Sequence, residues 1–152
     1  MEPRMNFFEA DPKLMSKVLA MSDAANASGL EQTLVHLVKL RASQINGCSY
    51  CVEMHSREAR DHGETEQRLY LVSAWKESPL FSKRERAALA WTETVTLLAG
   101  TGVSDAAYEA VRAEFDETDV TRLTVVIGMI NVWNRLCVPF QSIHPVKAKA
   151  AA

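Results

Sequence analysis

From Asp11 to Pro139 the chain repeats one pattern: a capping or turn residue, apolar residues three and four apart, then another turn. That periodicity belongs to α-helices packed by one face and leaves little room for strands. Asp11-Pro12 opens the first segment, whose apolar stripe is Leu14, Val18, Leu19 and Met21, fading into Asn26 to Gly29. A second begins near Leu30, carries Leu34, Leu37, Val38 and Ile45 on one side, and breaks at the turn dipeptide Asn46-Gly47. A third starts at or near Cys48 and runs to about His62, with Gly63 as its stop. Leu69, Val72 and Trp75 mark a fourth, ended by Ser78-Pro79. Ser82-Lys83-Arg84-Glu85 reads as a capping box leading into Ala87 to Trp91, a helix expected to end at Gly100 to Gly102. Ser104-Asp105 opens a short helix through Phe115, and a long one runs from about Thr118-Asp119 to before Pro139. The centre of the last segment, Thr124 to Ile127, is β-branched. Helix is still the reading, because Leu123, Ile127, Ile130 and Leu136 keep helical spacing over a longer window. The tail, Lys147 to Ala152, is read as frayed. The expectation is a single all-α domain over 1–152, a bundle of about six to seven helices with its core at about 30–137.

The chain has 152 residues, 47% hydrophobic and 24% charged, enough to bury a core and too apolar for disorder. A formal net charge of -2 excludes a strongly basic nucleic-acid binder and gives no membrane steering. No apolar run reaches bilayer length, and Met1 to Arg4 lack the basic-then-apolar pattern of a secretory signal. The expected compartment is therefore the cytoplasm, with neither membrane nor nucleic acid as partner. Thiols are kept reduced there, so a C-x-x-C reads as redox or metal chemistry before it reads as a structural staple.

Cys48 and Cys51 form that pair. On a helix starting near Cys48 they lie on one side, and a thiolate there feels unsatisfied backbone N–H groups and the positive end of the helix dipole. His55, four residues beyond Cys51, lies on the same stripe and can take a thiol proton or stabilise a thiolate. Zinc is the alternative: Cys48, Cys51 and His55 would supply three ligands and Cys137, His36 or His62 a fourth. Structural zinc sites more usually show a second spaced ligand pair, which this sequence lacks, so no metal is expected. Two buried cysteines and a satisfied histidine, merely packing, are the remaining alternative. Cys137, alone among apolar neighbours, reads as a small buried hydrophobe rather than a third redox thiol. His36, flanked by Val35, Leu37 and Val38, reads as a core histidine with a second base as its other reading, and Trp75, Trp91 and Trp133 as core or interface. Asn131, Asn134 and Arg135 are candidates for buried polar contacts that fix helix packing.

The stretch from Leu37 through Cys48-Ser49-Tyr50-Cys51-Val52-Glu53-Met54-His55 resembles the alkylhydroperoxidase D-like branch of the carboxymuconolactone decarboxylase family. Ala74-Trp75-Lys76-Glu77-Ser78-Pro79-Leu80-Phe81, Glu85 to Glu93, and Ile130 to Leu136 support it, so the resemblance covers roughly residues 30 to 137. It implies an all-helical fold, a homo-oligomer (hexamer or trimer), and reduction of hydroperoxides by the cysteine pair. It further implies that Cys51 attacks the peroxide, that Cys48 resolves the product as a Cys48–Cys51 disulfide, and that an external lipoyl- or thioredoxin-like dithiol restores both. No bound cofactor is implied. In such proteins a glutamate twelve residues before the first cysteine completes a proton relay, and a histidine often precedes the second cysteine. Those positions are His36 and Tyr50 here. Glu93, in the apolar and aromatic stretch Leu89 to Leu98, is the candidate to replace the glutamate; a solvated helix face is its other reading. Tyr50 is a candidate hydrogen-bond donor to peroxide, a pocket wall or a subunit contact, and Arg41 is either near the thiols or on the surface. Two rival functions remain: a non-peroxidatic disulfide carrier in an antioxidant chain, and a lactone decarboxylase, for which redox cysteines are superfluous.

Overall fold

A computed structural model describes residues 2–146; the tail expected to fray lies outside them. Among the described residues the structure is all-helical, with nine α-helices and one 3-10 helix. They are α1 (Phe7–Ala10), α2 (Pro12–Asn26), α3 (Gln32–Ile45), α4 (Ser49–Asp61), α5 (Glu66–Leu71), the 3-10 helix (Val72–Glu77), α6 (Lys83–Thr96), α7 (Leu98–Thr101), α8 (Asp105–Arg112) and α9 (Glu117–Cys137). No described helix is long and apolar enough to cross a membrane.

The starts follow the capping chemistry in the sequence. Asp11 accepts the Leu14 N–H with Pro12 at the first helical position, and Ser82 and Glu85 form a reciprocal capping box at the head of α6. Asp116 caps α9, which then runs unbroken through its β-branched centre because Leu123, Val126, Ile127 and Ile130 are buried on one side. Four boundaries differ from expectation, one of them the short helix opened by Ser104, which ends at Arg112 rather than Phe115. The fourth segment is an α-helix that tightens into 3-10 geometry, which brings Val72 and Trp75, three apart, onto one buried face. Arg86 accommodates the change by donating to the carbonyls of Trp75, Lys76 and Ser78. The fifth stops at Thr96, and a separate turn of helix carries the chain to Gly102, whose φ of +64° ends it. A short helix also precedes Asp11, where Asn6 caps α1.

The centre of the molecule is α3, which packs on α4, α6 and α9. Leu34 to Leu40 are all buried, so α3 is enclosed on nearly every side rather than on one apolar stripe. One core joins α3 to α6, α8 and α9 through Val35, Val38, Leu123 and Ile127; a second joins it to α5, the 3-10 helix and α6 through Leu37, Leu40, Val72 and Leu89. The first stripe fares differently. Leu14, Leu19 and Met21 are exposed, and α2 is anchored instead by buried Met15 and Ala25. A third and smaller cluster contains Ala42, Cys48, Cys51, Ile130 and Cys137, where the C-terminal end of α3, the start of α4 and the end of α9 meet.

Candidate active site

The Asn46-Gly47 turn does two jobs. Gly47 has φ +66°, its N–H donates to the Gln44 carbonyl at 3.2 Å, and the Cys48 N–H donates to the Ser43 carbonyl at 3.0 Å. This is a Schellman closure of α3, and it requires a residue at ease in the left-handed region. The residue that completes it, Cys48, is also the N-cap of α4, with its sulfur accepting the Cys51 N–H at 3.4 Å. The turn is held from the side by Asn46, which donates to the Oδ1 atoms of Asn131 (3.0 Å) and Asn134 (2.8 Å). Asn134 in turn donates to the Ser43 hydroxyl at 3.2 Å. The asparagines of α9 thus fix where α4 begins.

Cys48 and Cys51 are free thiols, 2% and 1% exposed, with their sulfurs 2.7 Å apart. Cys137 joins them: its sulfur and the other two all lie within 4.8 Å of one another. Hydrogen bonds from Cys137 and Cys51, together with the Cys51 backbone N–H, hold the Cys48 thiol well below its ordinary pKa despite burial. The same contacts, with burial, push Cys51 and Cys137 up. These directions make Cys48, at the helix start, the most acidic thiol of the three. Cys137 was read from sequence as a buried hydrophobe; it is buried, and it also belongs to the sulfur cluster. An eighty-nine-residue separation carries no periodic signal, so the residue type alone, as a candidate fourth zinc ligand, pointed to it.

His55 is buried on the same helix, and its Nδ1 is 2.9 Å from Glu58 Oε2. Burial lowers its pKa and the Glu58 contact opposes that, so the resting ring is neutral. With Nδ1–H donating to the carboxylate, Nε2 carries the lone pair, and no described residue bonds to it. His36 is buried as expected, but its ring faces the site: Nδ1 is 3.8 Å from Glu58 and its ring centroid is 4.6 Å from that of His62. Burial lowers His36 from 6.5 to about 4. His36, His55 and Glu58 present donor atoms within 4.8 Å of one another, a geometry able to hold a metal ion, as is the three-sulfur cluster.

Glu93 stands elsewhere. It accepts from Arg41 Nε (2.9 Å) and Trp75 Nε1 (2.9 Å) and pairs with Lys76 (2.8 Å), and these partners hold its pKa down against burial. It contacts neither His55 nor a cysteine through these bonds, so within the chain the carboxylate on His55 is Glu58 and not Glu93. Arg41 is committed to Glu93 in the same way. Glu58 was legible in principle, since i,i+3 on a helix puts it beside His55.

A cavity of about 550 Å³ opens beside the cluster. Its lining combines the polar side chains of Lys39, Tyr50, Cys51, His55, Glu58 and Cys137 with apolar ones that include Met54, Ile130 and Trp133. Cys48 does not line it. Tyr50 is thus a pocket wall.

Fold and site together define an all-helical protein built on a buried C-x-x-C at a helix start, with a carboxylate-held histidine one turn on. Residues 12–94 match the model of the carboxymuconolactone decarboxylase family. The uncharacterized protein YdfG of Bacillus subtilis is 38% identical over 138 residues, covering 91% of this chain and 94% of that one. A solved protein of unknown function from Agrobacterium tumefaciens, provisionally described as an antioxidant defence protein AhpD, superposes with a TM-score of 0.94 at 46% identity, covering 96% of this chain and all of its own. An uncharacterized peroxidase-related protein from Ralstonia eutropha, described as an alkylhydroperoxidase AhpD core, shares the fold at a TM-score of 0.81 and 20% identity, over 91% of this chain and 74% of its own. The chain belongs to the carboxymuconolactone decarboxylase family.

Proposed function

We propose that the protein is a thiol peroxidase that reduces small organic hydroperoxides. The observation that carries this reading is the placing of the two sulfurs: Cys48 caps α4 and accepts the Cys51 N–H at 3.4 Å, while Cys51, 2.7 Å from it, lines the cavity together with His55. His55 Nε2 accepts the Cys51 proton, and the imidazolium is stabilised by Glu58 at 2.9 Å. The Cys51 thiolate attacks the distal peroxide oxygen, giving Cys51 sulfenic acid and an alkoxide that takes the proton back from His55. The Cys48 thiolate then attacks the Cys51 sulfur and expels hydroxide, which is protonated to water, and the Cys48–Cys51 disulfide forms. An external dithiol returns both sulfurs to their resting state.

The same burial weighs against a carrier that exchanges disulfides with folded partners, since a 1% exposed sulfur offers no protein face to dock on. It favours a reductant whose dithiol rides on a slender arm, lipoyl-like rather than thioredoxin-like. Lactone decarboxylation would leave the sulfur cluster without a role. The expected homo-oligomer is consistent with the exposed apolar side chains of α2, Leu14, Leu19 and Met21. The decisive variant is Cys51→Ser: it is expected to lose hydroperoxide consumption in an assay coupled to dihydrolipoamide, while binding and fold persist. Consumption at the wild-type rate would sink the scheme.

A further inference from the structure

The scheme above uses two sulfurs, and the structure gathers three. We propose that Cys137 is a third redox-active thiol, which forms an alternative disulfide with Cys51 on the cavity wall. This goes beyond the peroxidase reading and requires only a two-electron oxidant of the hydroperoxide or diazene class. All three sulfurs lie within 4.8 Å of one another, and helix α9 delivers Cys137 to the cluster with its last residue. Of the three, Cys51 and Cys137 line the cavity and Cys48 stands behind them.

That arrangement gives the third thiol a definite task. A Cys48–Cys51 disulfide has one sulfur away from the cavity. Cys137 attacks the Cys51 sulfur, the Cys51–Cys137 bond forms, and the Cys48–Cys51 bond breaks; Cys48 leaves as thiolate and the Cys137 proton passes to solvent. The exchange conserves one disulfide and consumes no oxidant. Cys48 is the leaving group because its sulfur caps α4, where the Cys51 N–H at 3.4 Å and the helix N-terminus stabilise the departing anion. The product disulfide lies where an entering dithiol can reach either sulfur.

The test uses the full-length Cys48→Ser protein, in which serine keeps an N-cap oxygen. It is treated in parallel with one equivalent of diamide, which closes adjacent thiols without peroxide chemistry, and one of cumene hydroperoxide, then alkylated and mapped by non-reducing mass spectrometry. A Cys51–Cys137 disulfide in both arms is the expected result. Closure with diamide alone keeps the inference and removes the peroxidase reading. Alkylated Cys137 in both arms, with Cys51 either alkylated or over-oxidised, overturns the inference. A second measurement does not depend on the variant's folding: in oxidised wild-type protein the one thiol open to alkylation is Cys48 in part of the molecules, whereas Cys137 in every molecule contradicts the proposal.

Discussion

Glu58 stands beside two histidines and bonds one of them. His55 is bonded to it at 2.9 Å, while His36 stands at 3.8 Å with both ring nitrogens unpartnered. Glu58→Gln keeps a hydrogen-bond acceptor for His55 and removes the charge that stabilises the imidazolium. Cys51 oxidation is expected to slow by up to about 100-fold, and the acid limb of its pH–rate profile to move to lower pH, because Glu58 raises the His55 pKa. Stopped-flow measurement across pH separates this from misfolding, which would not move the limb. His36 contributes differently. Its pKa falls from 6.5 to about 4 on folding, so between those pH values the unfolded chain binds a proton that the folded chain refuses. Stability from this group is complete above about pH 6.5 and is lost as pH falls toward 4, by about 3 kcal/mol. Denaturant unfolding of His36→Leu is expected to show a correspondingly shallower loss between pH 7 and 4. The carboxylate bonded to His55 comes from Glu58, three residues along α4, and not from α3, where His36 stands.

At the scale of elements, the site is a junction. Cys48 ends the Schellman closure of α3 and begins α4, and Asn134 of α9 anchors the turn between them. Asn134→Ala leaves the Asn46 amide and the Ser43 hydroxyl short of buried partners, a loss of about 1–3 kcal/mol. Its denaturation midpoint should fall, and thiol titration should show Cys48 moving upward, since Asn134 helps hold that thiol down. Helix starts were legible because caps are local: Asp11, Ser82 and Ser104 all accept the expected N–H groups. The tightening at Val72–Glu77 was not, because it depends on Arg86 reaching back to three carbonyls. Nor was the enclosure of α3, which follows from having α4, α6 and α9 around it.

Across the whole molecule, the all-helical class and the C-x-x-C with His55 were visible from local spacing, while the sulfur cluster and the cavity exist only through tertiary packing. Glu93 shows the limit from the other side: an acid in an apolar stretch signalled burial with a partner, and the partners are Arg41, Lys76 and Trp75 rather than His55 or a cysteine. The cavity sits where the N-terminal arm, α4 and α9 converge, so its walls come from both ends of the chain, and Cys51 opens onto it. The central claim is that this sulfur is oxidised by hydroperoxide and then resolved within the chain. Mass spectrometry of the reduced wild-type protein after one equivalent of cumene hydroperoxide tests it most directly. The account predicts loss of two hydrogens through an intramolecular disulfide that includes Cys51, with one equivalent of alcohol released. Intact hydroperoxide beside a protein whose three cysteines all remain open to alkylation after denaturation would contradict it.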